Sequence, residues 1–395
     1  MRGYRADVAF DGHAPLPGGA LVLVQDRTIV AVQPASAAAP AGCEVTHLPG
    51  TTLLPGLIDT HVHLCGDSGP AALDRVPGLS PDELQATIDT ALRQQLAAGV
   101  TTVRDLGDHH WAVLERARSD GAGPTILASG PPLTSPGGHC SSMGGEAAEV
   151  EALRRAVEER AERGVDVVKI MTSGGAMTAG TNMLACQFTL EELRAVVEEA
   201  HRHGLPVTAH AHSLAAVEDS VAAGVDGIEH CSCLAPGGAR LPDELARRLS
   251  SPDLVVCPTL GKLPGMEPPP EVKARLDAAG TSYEQHLPTV AALHRAGVAL
   301  TAGTDAGIGP SKRHGLVPFA VADLVHECGL SPIEALAAAT GGAARACGME
   351  GRTGRLAAGL DADLLLVDGD ALSDVTALQR PRVVVARGRE SDGSA

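Results

Sequence analysis

The chain has 395 residues with 48 acidic against 31 basic side chains, and a net charge of −17 argues against a phosphate-backbone partner, which needs a basic stripe. Hydrophobic content of 44% with 20% charged residues is ordinary for a globular protein, so disorder is excluded and the length suits one barrel of about 250 residues plus a smaller module. The nine cysteines are an odd set with no repeated CxxC spacing, which is neither a disulfide framework nor a structural zinc site, and the absence of a leader-like start or of an apolar run of about 18 residues leads to the expectation of an acidic cytoplasmic protein with no membrane partner.

Residues 1–54 read as short strands separated by Gly and Pro, as in GALVLVQDRTIVAVQP. The same pattern returns at GRLAAGLDADLLLVDG and RVVVARGR, so residues 1–54 plus 352–395 are expected to form one small β-domain. Between them, residues 55–351 alternate apolar runs with helical patterns, the habit of βα units on a parallel sheet. The candidate strands are LLPGLIDTHVH, VTTVRDLG, PTILASG, VDVVKIMTS, LPVTAHA, VDGIEH, LVVCPTL and VALTAGTD, eight in all. Eight strands close a barrel, so the expected fold is α/β, a (β/α)8 TIM barrel. Ser80 with Glu83, and Thr189 with Glu192, match capping boxes that start two of the intervening helices. The Pro-rich GKLPGMEPPP, Gly261 to Pro270, follows the seventh strand and reads as a surface loop near the barrel mouth, a lid or an inert connection.

Polar residues gather at the ends of these strands. His61 and His63 end the first, Arg104 and Asp105 the second, Lys169 the fourth, His210 the fifth, His230 the sixth and Asp305 the eighth. In a parallel barrel those ends share one face, where active sites of this architecture are built. Residues two apart on a strand point the same way, so the imidazoles of HVH can reach one ion while Val62 points elsewhere. One HxH is a weak signal, but chance does not put four histidines, one lysine and one aspartate at strand ends in five of eight units.

PGLIDTHVHL, VVKIMTSGG, TAHAHS, GIEHC and TAGTDAG resemble the metal-ligand segments of the amidohydrolase superfamily, and among its members the imidazolonepropionase-related group with Xaa-Pro dipeptidases and Arg/Lys carboxypeptidases. The resemblance implies that the terminal pieces form a composite β-sandwich. It also implies two divalent ions, expected to be zinc: one held by His61, His63 and Asp305, the other by His210 and His230, with Lys169 carboxylated by CO2 and bridging both. A hydroxide shared by the ions would be the nucleophile and Asp305 the proton carrier. His139 in SPGGHC resembles a substrate-contacting histidine of related peptidases. His212 stands where several relatives carry tyrosine, and His314 in KRHG resembles a loop residue after the eighth strand.

For the remaining polar residues the alternatives stay open. Arg104 either recognises a substrate carboxylate or braces the barrel by an ion pair. Ser173, with Gly174 and Gly175, either offers donors to substrate or makes a tight turn. Cys65, Cys231 and Cys233 lie near the candidate site and are expected to be packing residues. The leading function is hydrolysis of an amide C–N bond in a small molecule, a dipeptide or an N-acyl amino acid. Hydrolysis of a cyclic amide or imidazolone, or the reverse ring closure, would use the same centre, and a catalytically silent scaffold is the rival from another class. Homo-oligomerisation is left open.

Overall fold

In a computed structural model of the chain, which describes residues 1–119 and 121–391, eight short strands alternate with helices through the central region. The strands are Leu57–Val62, Val100–Asp105, Thr125–Ala128, Val168–Met171, Val207–Ser213, Gly227–Ala235, Val255–Cys257 and Ala299–Leu300. The first three form one parallel sheet and the last five another, extended by a short antiparallel strand, Gly238–Ala239. Single parallel bridges span both seams, Leu133 to Ile170 and Val62 to Ala306. Backbone bonds accompany the second seam: Asp305 N donates to the His61 carbonyl at 2.8 Å and His63 N to that of Ala306 at 2.8 Å.

The helices start where the sequence says they should. Ser80 Oγ accepts from Glu83 N while Glu83 returns to Ser80 N, and Thr189 with Glu192 does the same, so both capping boxes form. A third box, Ser331 with Glu334, starts Pro332–Ala338. Helix Pro81–Ala97 buries Leu84, Ile88, Ala91, Leu92 and Gln95, a stripe at three- and four-residue spacing that packs on the sheet. Gly99 turns the chain from this helix into the second strand with φ +85°, and a Cβ there would stand 2.7 Å from Leu365. No other residue suits both the turn and the contact.

Two further sheets form, one from the N-terminal piece alone and one from both termini. One joins Thr28–Pro34, Ala20–Gln25, Arg2–Ala6 and Glu44–His47; the other joins Arg389–Glu390, Pro381–Ala386, Leu364–Asp368, Thr51–Pro55 and Val8–Ala9. Leu364–Asp368 runs antiparallel to Thr51–Pro55, so the C-terminal strands extend the N-terminal pair at its edge. Leu53, Leu364 and Leu366 face Tyr4, Val22 and Ile29 in one core. Leu54, Leu365 and Val367 point the other way, into the core that also holds Leu57 and Val100. This second sheet is covered on both faces, which is why LLLV is uninterrupted rather than alternating. Among the described residues no helix is long and apolar enough to cross a membrane.

Candidate metal centre

The strand ends bring together the imidazoles that the sequence singled out. His61 and His63 rings lie 5.3 Å apart, His61 and His230 5.4 Å, and His210 and His230 4.6 Å. His61 Nε2 and His63 Nε2 stand 3.4 and 3.2 Å from Asp305 Oδ1. These three residues form one group able to hold an ion, and His210, His212 and His230 form a second, with ligand atoms within 4.8 Å of one another. His212 therefore has the geometry of a further ligand, a role the sequence did not suggest.

Each of the four expected histidine ligands has one ring nitrogen already engaged. His63 Nδ1 donates to the Gly107 carbonyl at 3.3 Å and His210 Nε2 to the Gly174 carbonyl at 3.2 Å, since a carbonyl can only accept. His61 Nδ1 meets Glu229 Oε2 at 2.7 Å and His230 Nδ1 meets Thr259 Oγ1 at 2.8 Å. The opposite nitrogen is turned away from these partners, at His61 and His63 towards Asp305, the way outer partners orient ligand rings at metal sites. Burial, with the neighbouring positive groups, pushes His61 down to about 4 and His210 and His230 well below their ordinary value, which keeps these rings neutral and able to ligate. At His63 burial pulls downward too, but the hydrogen bond and charge of Asp305 outweigh it and leave the ring raised. Burial alone would raise the Asp305 carboxyl; His61 and His63 hold it below the usual carboxylate range.

Lys169 is buried among these groups, and its Nζ has no hydrogen-bond partner. Burial, the largest influence, lowers its pKa against the pull of Glu229 and Asp305. An orphaned amine here is costly unless something completes it, and the donor set around it fits a cationic centre of the expected kind.

Backbone conformation is unusual where function is expected. His230, Thr259 and Asp305 adopt φ of 66°, 54° and 59°, in the left-handed region that non-glycine residues seldom enter. At the sixth strand this interrupts the alternation of side chains, so that adjacent Glu229 and His230 both approach His61. Glu229 is a residue the sequence reading missed. Its Oε1 accepts from Arg104 Nη2 at 3.1 Å and Thr208 Oγ1 at 2.6 Å. With Oε2 on His61, both oxygens are in use, so the geometric group His61, Glu229 and Cys257 is better read as support behind the site than as a third ion site. Burial opposes its charge, but His61 and Arg104 hold the carboxyl low. Glu in the apolar run VDGIEH was the available signal, because a charge on a buried strand needs a partner.

The expected substrate contacts divide. His139 and His212 line a cavity of ≈ 410 Å³ together with the metal-type residues. Gly175 leaves room for His139, since a Cβ there would overlap its ring. Arg104, Ser173 and His314 do not line that cavity. Arg104 is turned away, donating through Nε to the Thr60 carbonyl at 2.8 Å and through Nη2 to Glu229, which is the ion-pair alternative rather than carboxylate recognition. Ser173 Oγ donates to the Gly174 carbonyl at 2.9 Å and accepts from His212 N at 2.9 Å, holding the loop. His314 is buried with Nε2 on the Gly66 carbonyl at 3.0 Å. Ser173 Oγ is used on backbone groups, whereas His314 engages backbone through Nε2 and leaves Nδ1 without a partner. Cys65, Cys231 and Cys233 are buried free thiols, and burial holds that of Cys65 well above its ordinary value, the behaviour of packing residues.

The Pro-rich loop reaches the mouth: Lys262, Glu267, Pro268 and Pro269 line the cavity, and helix Pro270–Ala278 adds Val272 and Leu276. Lys312 and Tyr283 also line it, and neither was foreseen.

Residues 52–390 match the Amidohydrolase family. The chain belongs to that family. It is 29% identical over 368 residues to ochratoxinase from Aspergillus niger, covering 84% of this chain and 73% of that protein. It is 27% identical over 413 residues to imidazolonepropionase from Salinispora tropica, covering 96% and 93%. A Xaa-Pro dipeptidase solved with methionine in its active site superposes with a TM-score of 0.85 at 24% identity, over 99% of each chain, a likeness of fold. As an amidohydrolase the chain is an enzyme, a hydrolase acting on carbon–nitrogen bonds, of a family that generally uses divalent metals.

Proposed function

We propose that this amidohydrolase cleaves the amide bond of a dipeptide or an N-acyl amino acid at a binuclear metal centre in the mouth of an eight-stranded barrel. The observation that carries the reading is the arrangement of ring nitrogens: in His61, His63, His210 and His230 one nitrogen is engaged by its surroundings and the other is turned elsewhere, at His61 and His63 towards Asp305, beside the unpartnered Nζ of Lys169. On this reading His61, His63 and Asp305 would hold one ion and His210 and His230 the other, and Lys169 as a carbamate would supply anionic oxygens to the centre. A neutral lysine amine adds to CO2 with loss of a proton and becomes an anion with two oxygens, so a depressed lysine pKa favours the modification. Zinc suits imidazole and carboxylate donors.

Bound there, the ions would supply an ionised water near neutral pH and polarise the scissile carbonyl. The chain's own residues do the rest. Asp305, ionised and facing that space, takes the proton of the attacking water and returns it to the departing nitrogen. Glu229, braced by Arg104, fixes the His61 ring, and Thr259 fixes that of His230. His139 and His212, on the cavity wall, orient the substrate.

The bridges across both seams support a closed barrel over residues 55–351, and the sheet shared by the two terminal pieces, packed on the N-terminal one, supports residues 1–54 plus 352–395 as one β-sandwich domain. The test is hydrolysis of a panel of dipeptides and N-acyl amino acids by zinc-loaded protein, read with its metal content. Turnover that rises with the second equivalent of metal and disappears on chelation is expected; no turnover by protein holding two ions would reject the reading.

A further inference from the structure

The chain contains four lysines, Lys169, Lys262, Lys273 and Lys312, among 31 basic residues. All of them line the one catalytic cavity, and no arginine does so among the described residues. A chain that meets its need for positive charge with arginine elsewhere uses compact ammonium groups on this wall alone. Two of them sit at the rim with acids of their own: Lys262 pairs with Glu284, and Lys273 with Asp277 at 2.9 Å, half of its side chain exposed. Such exposed pairs hold little energy.

Lys312 differs. It is partly buried, and its Nζ donates to the carbonyls of Thr259 at 2.7 Å and Thr304 at 3.0 Å, with that of Leu260 at a marginal 3.5 Å. Its N–H donors are thus directed at neutral carbonyls, two firmly and the third weakly, and the Tyr283 ring centroid lies 5.2 Å away. No carboxylate among the described residues comes within 4.0 Å of it. Burial pulls its pKa down to about 8, with Asp305 and Asp323 opposing, so the ammonium persists at neutral pH. It is therefore a fixed cation on a cavity wall, anchored by neutral groups and lacking an anion.

We propose that Lys312 is the specificity-determining cation of the cavity: it binds the free carboxylate of the substrate, whose aliphatic side chain rests against Met171, Met183, Val272 and Leu276. This rests on the reading of the centre as an amide hydrolase. Lys312 supplies the carboxylate recognition that Arg104, tied to Glu229, cannot give.

The experiment compares N-acetyl-L-leucine with N-acetyl-L-leucinamide, in turnover and in calorimetric binding, for zinc-loaded wild type, Lys312→Met and Lys312→Arg, with metal content measured throughout. A charge-assisted hydrogen bond corresponds to roughly a 10- to 150-fold preference for the acid in wild type. The preference should appear mainly in KM, collapse towards one in Lys312→Met and partly return in Lys312→Arg. Equal handling of acid and amide by wild type overturns the proposal. So does a Lys312→Met variant that weakens both equally, the behaviour of a backbone strut. If wild type turns over neither compound, the amide-hydrolase reading fails for this class, and the proposal is then decided by binding alone: acid bound in preference to amide supports it, and no preference overturns it. If Lys312→Met does not fold, the wild-type preference and its loss on raising salt decide in the same two directions.

Discussion

Replacing Glu229 by Gln removes one negative charge without changing shape, at a position where the charge holds three groups. Oε2 lies 2.7 Å from His61 Nδ1, while Oε1 accepts from Arg104 Nη2 at 3.1 Å and Thr208 Oγ1 at 2.6 Å. The Gln amide has a single acceptor oxygen. If that oxygen faces His61, its NH2 meets the donors of Arg104 and Thr208; turned over, its NH2 meets the His61 N–H. Arg104 is buried, and Glu229 is its only carboxylate partner within 4.0 Å among the described residues. Removing one member of a buried pair costs about 3–5 kcal/mol, and losing an outer partner of a ligating histidine typically weakens metal binding by about 10- to 100-fold. Urea unfolding of metal-free protein reads the first effect and zinc competition with a chromogenic chelator the second. Thr208→Val serves as a control that removes only a hydroxyl bond, about 1 kcal/mol. A Gln variant within about 0.5 kcal/mol of wild type and with unchanged zinc affinity would refute the assignment of Glu229 as the residue that orients His61.

Asp305→Asn should keep the fold and lose about 10²- to 10⁴-fold in kcat, checked by steady-state kinetics alongside metal content; near-normal turnover with both ions present would exclude Asp305 as proton carrier. Lys169→Ala should lose the second ion and most activity, and short carboxylic acids should restore part of both, as elemental analysis and activity would register. His314 is held by burial at about 4 against an ordinary 6.5. The unfolded chain therefore takes up a proton below 6.5 that the folded chain refuses until about 4. Wild type should lose stability relative to His314→Gln as pH falls through that window, at about 1.36 kcal/mol per unit and roughly 3 kcal/mol in all, with no such trend above pH 7. Paired urea titrations from pH 4 to 8 check the slope.

The strand ends were legible because strand periodicity and ligand chemistry coincide there: HVH puts two imidazoles on one face, and the eight apolar runs match the eight strands observed. Pairing of the two terminal pieces was legible from their shared strand pattern, although LLLV did not disclose that its sheet is covered on both faces. Glu229 was not legible, because alternation puts it opposite His230 and only the positive φ at His230 turns both towards His61. Arg104 ends a strand whose end faces the site, yet a long side chain can fold back, and its guanidinium follows the Glu229 charge instead. His314 and Ser173 are polar residues near a site whose hydrogen bonds go to backbone, a choice that local sequence does not encode. Lys312 was passed over in SKRHG because its acceptors, Thr259 and Thr304, are distant or unremarkable in sequence and its site exists only after the strands assemble.

The central claim is a binuclear centre bridged by a modified lysine, and anomalous diffraction from crystals grown with zinc and bicarbonate tests it most directly. The account predicts two peaks per chain, one among His61, His63 and Asp305 and one beside His210 and His230, with continuous density running from Lys169 Nζ to both. A single peak, or two peaks with a bare amine at Lys169, would contradict it.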